Sequence, residues 1–232
     1  MQRLLDAGTS PDQSIGAESP LVAAIRTGSD TMVAELLAFG ADPLVAGADS
    51  SNAWDAVFER GDAVILDRLI RHTTIDAGGG PAVSGWLDAV RGDKADAPQW
   101  HEVLSGELLS LGLMYAALHD RPDLIRPMRR AREIPNRTGY HAIAVAARWN
   151  REPALQALLA IGTHPDLATA SRTTALMEAA RGGRLAIARR LLSAGADPNH
   201  VDLKGETALD WAVRFGQEAY ADLLLSSGAR TH

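Results

Sequence analysis

Apolar residues along the last two-fifths of the chain follow a 33-residue cycle. Ile143, Leu176 and Leu209 open each turn of the cycle, and Gly162, Gly195 and Gly228 stand nineteen residues after them. Small residues follow the opening hydrophobe, as Ala146-Ala147, Ala179-Ala180 and Ala212-Val213. A leucine pair comes shortly before each glycine, as Leu158-Leu159, Leu191-Leu192 and Leu224-Leu225. A fixed period of this length signals a solenoid, in which each repeat covers the apolar side of its neighbour.

Inside one cycle the pattern predicts two short helices. In the last, Thr207 caps the first helix, with Asp210 three residues on completing a capping-box-like pair. That helix runs to about Arg214 and stops at Phe215-Gly216, glycine being suited to the left-handed turn. The second covers about Glu218 to Ser226 and buries Tyr220, Leu223 and Leu224. The preceding repeat has the same plan. Thr174-Ala175-Leu176 opens its first helix, Arg181-Gly182-Gly183 ends it, and the second runs from Leu185 to Ser193. Asp197 and Asn199 suit Asx-type turns on the way out. The alanines at 146, 147, 179 and 180 predict close stacking of the first helices, since a larger side chain there overpacks.

Earlier in the chain the pattern continues with departures. Ser19-Pro20-Leu21 is a cap followed by proline at the first helical position, and Gly28, Leu36-Leu37 and Gly40 follow in step. Met1 to Asp12 reads as a half-repeat cap. Asn52-Ala53-Trp54-Asp55 opens another repeat, whose second helix is read as Ala63 to Arg71, with a turn at His72-Thr73-Thr74. Between 77 and 136 the repeats are irregular. Gly78-Gly79-Gly80-Pro81 breaks a helix, Trp86 to Val90 resembles a first helix, and Trp100 to Leu104 is its candidate partner. Leu113 to Ala117 is a clearer first helix. Its partner, read over Pro122 to Arg132, carries Pro127 inside it, where a kink or restart is expected.

The residues Thr174-Ala175-Leu176, Ala179-Ala180, Gly183, Leu191-Leu192 and Gly195-Ala196-Asp197-Pro198-Asn199 resemble the ankyrin-repeat family. Thr207-Ala208-Leu209, Gly216, Leu224-Leu225 and Gly228-Ala229 repeat the match, which is specific over about 137–232. The resemblance implies an all-α solenoid of stacked antiparallel helix pairs with projecting loops or hairpin fingers. It further implies a concave face lined by fingers and first helices. The whole chain, 1–232, is expected to form one such solenoid. Its half-repeat cap is 1–12, and its repeats lie at about 19–44, 52–77, 83–106, 111–136, 141–167, 174–200 and 207–230.

Composition narrows the chemistry. The 232 residues are 46% hydrophobic, 22% charged and free of cysteine, which removes disulfides, thiol nucleophiles and Cys-ligated metal. The seven histidines include no pair at metal-ligand spacing, the glycine-rich stretches lack a phosphate-loop lysine, and no serine sits in a nucleophile elbow. Neither catalysis nor a cofactor is expected. Net charge is −6, although 121–137 alone carries six arginines and a net +4. A nucleic-acid partner is thereby disfavoured, with that arginine run kept as the alternative. No stretch approaches the 18 apolar residues that would span a membrane. The opening residues read as no secretory signal, so cytoplasmic placement is the default unless a leader has been removed.

Binding residues are sought where side-chain size is free to vary. Five residues after the opening hydrophobe stand Arg26, Arg91, Arg148, Arg181 and Arg214, and one residue later come Trp149, Gly182 and Phe215. The resemblance places these first-helix ends on the concave face. The arginines also have a structural account, because a cation suits a helix C-terminus and its stem covers apolar surface. Trp149 and Phe215 point more directly to binding, since aromatic and Arg residues supply most hot spots. Trp211 is expected outside the deep core, because Glu178 and Val145 share its place. Trp54 and Trp86 are expected inside. His200, Val201 and Leu203 mark a finger with Val201 and Leu203 exposed. The expected function is a non-catalytic scaffold for a protein partner. The alanine- and arginine-rich composition suggests a bacterial source, and the narrower alternatives are an immunity-type inhibitor of a toxin, a host-targeted effector or a regulatory adaptor.

Overall fold

The computed structural model describes residues 10–13, 18–47, 51–76, 81–92, 106–131 and 139–230. The chain divides into two compact units, Met1–Gly78 and Gly79–His232. Expectations for Met1 to Gly8, Gly78 to Gly80 and Trp100 to Leu104 fall outside the described residues, as do Arg132 and Arg137.

The first unit holds two helix pairs, α1 (Pro20–Thr27) with α2 (Asp30–Ala38) and α3 (Ala53–Arg60) with α4 (Ala63–Asp76). Ser19 Oγ accepts the Val22 N–H to cap α1, and Pro20 takes the first helical position. Asn52 and Asp55 form a reciprocal capping box on α3. The first helices α1 and α3 pack together, as do the second helices α2 and α4. Arg68 on α4 grips the Asp30 carboxylate with two hydrogen bonds of 2.9 and 2.8 Å. Trp54 is fully buried, as expected. The turn expected at His72-Thr73-Thr74 is instead helix. No glycine stops α4 there, Thr73 and Thr74 are buried, and the Thr74 hydroxyl donates back to the Ile70 carbonyl at 2.6 Å.

The second unit opens with α5 (Pro81–Arg91), α6 (Glu107–Leu118) and the one-turn α7 (Pro122–Ile125). Trp86 is buried and its ring meets Tyr115 at 6.2 Å. The helix read from Pro122 to Arg132 is interrupted at Pro127, where a kink or restart was expected. Pro127 has no N–H to continue it, so α7 ends at Ile125 and a 3-10 turn follows at Arg129–Ala131. Three regular pairs complete the unit: α8 (Ala142–Arg148) with α9 (Glu152–Ala160), α10 (Ala175–Arg181) with α11 (Leu185–Ser193), and α12 (Ala208–Arg214) with α13 (Glu218–Ser226). The bounds of α10 to α13 fall within a residue of those read from the sequence.

Each pair turns at the same place. Seven residues after the opening hydrophobe the backbone is left-handed, at Asn150 (φ 55°), Gly183 (φ 61°) and Gly216 (φ 66°). Glycine adopts this conformation freely, and Asn is the side-chain-bearing residue most tolerant of it.

Packing is consecutive. α8 lies against α6 and α10, α10 against α12, and the second helices follow as α9, α11 and α13. Ala146, Ala147, Ala179, Ala180 and Ala212 are all 0% exposed, which is how the first helices approach so closely. Polar cross-links hold the register. Asp197 N–H donates to the Asp166 carboxylate at 3.0 Å, Arg190 Nε to Glu152 Oε1 at 2.7 Å, and the buried Tyr220 hydroxyl to the Leu176 carbonyl at 2.7 Å.

Ala179→Leu is expected to destabilise the protein by about 1–3 kcal/mol, because the larger isobutyl side chain must enter a filled first-helix seam. Denaturant unfolding with an unchanged midpoint would show that the seam is not tight.

Candidate functional site

The first-helix ends of α8, α10 and α12 carry the candidate residues. Each end is set by the left-handed turn that follows it, so Arg148, Arg181 and Arg214 occupy equivalent last-turn positions. The next residue is Trp149, Gly182 or Phe215, the only strongly varied place in an otherwise repeated turn.

Arg148 and Arg181 converge on one carboxylate. Glu178 Oε2 lies 3.7 Å from Arg148 Nε and 3.9 Å from Arg181 Nε. Glu178 is 3% exposed, and its Oε2 accepts no hydrogen bond. Burial pushes the Glu178 carboxyl up to about 7, against the pull of Arg181 and Arg148. Burial also works against the charge of Arg148. Glu178 supports that charge, and the guanidiniums of Arg181 and Arg184 oppose it.

Arg181 is held from its other side by aromatic rings. Its guanidinium carbon lies 4.8 Å from the ring centroids of both Trp211 and Phe215, within cation–π range. Those rings meet edge to face at 6.2 Å. Tyr115 and His119 form the same four-residue-spaced pair on α6, with centroids 4.5 Å apart.

Trp211 corrects the sequence reading. It is 6% exposed, and the equivalent Glu178 and Val145 are 3% and 0% exposed. The place is buried in all three repeats despite its varied chemistry. The indole Nε1–H donates to Asp202 Oδ2 at 3.2 Å, which ties α12 to the loop that precedes it. Trp211 therefore supports Arg181 and Phe215 from beneath and is not an exposed anchor. Arg214 stands apart from the cluster, paired with Glu206. Trp149 and Phe215 are half-buried.

The fingers are loops among the described residues. Leu203 is 68% exposed, whereas Val201 is half-buried. His200 Nε2 lies 3.2 Å from the Arg172 carbonyl, and the Leu203 N–H donates to the Ser171 carbonyl at 3.1 Å, so each finger rests on the one before. In the arginine run, Arg121 is buried, gripping Asp123 and reaching the Val90 carbonyl. Arg126, Arg129 and Arg130 are exposed. Among the described residues no group of three or more His, Asp or Glu is placed to hold a metal ion, and no helix is long and apolar enough to cross a membrane.

Residues 143–232 match the family model for ankyrin repeats in three copies. This segment of the chain consists of ankyrin repeats. Its α8 to α13 are the three ankyrin helix pairs, and ankyrin repeats generally mediate protein–protein interaction. No curated protein matches the chain. Sequence reasoning missed Glu178 and Arg184 as members of the candidate site. The available signal was a charge in a column otherwise apolar for Glu178, and the 33-residue recurrence of Arg151 and Arg184 for the latter.

The raised Glu178 carboxyl carries a sign. Its ordinary value is 4.5 and its folded value about 7, so the folded protein binds the extra proton between them. The stability it contributes is complete below about 4.5 and is lost as pH rises through about 7. Thermal melts at pH 6 and pH 8 are expected to show a smaller pH-induced loss in Glu178→Gln than in the parent protein. Equal losses in both would place the titration elsewhere.

Proposed function

We propose that this protein is a non-catalytic scaffold that binds a protein partner. The contact surface is the first-helix ends of residues 143–232, together with the finger at 200–204. The observation that carries the reading is Arg181 clamped between Glu178 on one side and Trp211 and Phe215 on the other. A guanidinium fixed against aromatic rings binds with little further loss of side-chain freedom, and Arg and aromatic residues dominate binding hot spots. Trp149 stands two repeats before Phe215 at the equivalent place. Leu203 adds an exposed apolar tip.

The perturbed carboxyl of Glu178 is enclosed by arginines and the repeat core, with no nucleophile hydrogen-bonded to it. Its role in this reading is to orient the two guanidiniums.

The test begins with partner capture by cross-linking and mass spectrometry from the native source, followed by titration of the purified pair. Trp149→Ala combined with Phe215→Ala is expected to weaken binding at least about thirtyfold, two hot-spot truncations costing roughly 1–2 kcal/mol each. Helicity is expected to be retained, with a melting temperature close to that of the parent. Normal affinity in the double variant would move the binding face to the finger at 200–204.

A further inference from the structure

The helix-end strip has a chemical preference that the general scaffold reading does not specify. Arg184 is exposed and makes no ion pair among the described residues. It acts on Arg148 as a like charge, as does Arg181. Its side chain folds over Gly182, where an added Cβ would lie 2.8 Å from Arg184 Nε. The place filled by Trp149 in one repeat and Phe215 two repeats on is thus filled between them by a guanidinium. Arg151 is the equivalent of Arg184 one repeat earlier, and its buried Nε has no hydrogen-bond partner.

We propose that this strip, Arg148, Arg181 and Arg184 walled by Trp149 and Phe215, is the docking point for an Asp or Glu side chain flanked by an apolar residue in the partner's bound segment. The proposal rests on the scaffold reading and specifies what the scaffold selects. Guanidinium groups present paired N–H donors that match a carboxylate, and the aromatic walls take up the apolar neighbour. Glu178 draws Arg148 and Arg181 together from beneath, so their positions are set before the partner arrives. Arg214 is set aside because Glu206 already pairs with it. The compact size of the cluster suits one carboxylate. A long polyanion such as RNA would be opposed by the chain's net charge of −6.

A random-peptide display selection on the full chain, followed by anisotropy titration of the best enriched peptide in fluorescein-labelled form, tests this directly. Enriched sequences are expected to place Asp or Glu beside Leu, Phe or Trp. Binding is expected to fall at least about tenfold in Arg184→Glu and to recover when the peptide's acidic residue is exchanged for Lys, as complementary charge requires. Arg184 is exposed, and circular dichroism with Arg184→Gln as a second, milder variant separates lost charge from lost fold. Acidic peptides indifferent to both Arg184 variants would overturn the site. Neutral or basic peptides whose binding is lost in Trp149→Ala would overturn the acidic preference while leaving the scaffold reading intact. No enrichment at all would overturn both. Tighter binding of a labelled 20-nucleotide single-stranded RNA (a length of about two OB-fold sites) would make the cluster a phosphate site and end the proposal.

Discussion

Close approach of the first helices governs the C-terminal half of this protein. Ala146, Ala147, Ala179, Ala180 and Ala212 are completely buried where α8, α10 and α12 meet. With small side chains in that seam, the helix ends of adjacent repeats come within ion-pair distance. Arg148 on α8 then reaches Glu178 on α10, and Arg181 on α10 reaches the rings of Trp211 and Phe215 on or beside α12. A wider seam would separate these groups and expose Glu178, removing the cause of its raised carboxyl. The proposed binding surface is therefore a consequence of core packing one layer below it.

The repeat divides its labour between places that fix the backbone and a place that does not. The left-handed turn at Asn150, Gly183 and Gly216, the Thr174 and Thr207 caps, and the Asp166-to-Asp197 cross-link recur because each satisfies backbone geometry or hydrogen bonding. The residue just before that turn makes no such demand. It is Trp149, Gly182 and Phe215 in turn. Variation there changes the chemistry of the surface while the stack beneath it is preserved.

Much of this was legible in the sequence. The helix bounds of α10 to α13 could be read because three copies report on the same geometry, so caps and turn glycines reinforce one another. Where only one copy carries a feature, reading weakened. α4 runs on to Asp76 because buried Thr73 and Thr74 continue it, a tertiary effect with no local signal. Trp211 looked superficial because Glu178 and Val145 share its place. Its burial comes from Asp202 nine residues before it and from Arg181 thirty residues back. Glu178 was overlooked for the same reason, since its partner Arg148 lies thirty residues before it. Periodicity reveals which residues face the same way, and it does not reveal which of them meet.

The central claim is that the partner sits on the first-helix ends. Amide hydrogen exchange of the chain alone and with its captured partner bound measures this most directly. The account predicts new protection concentrated at 146–151, 179–184 and 212–217, with the second helices 185–193 and 218–226 unchanged. Protection confined to those second helices, with the first-helix ends exchanging as in the free protein, would contradict it.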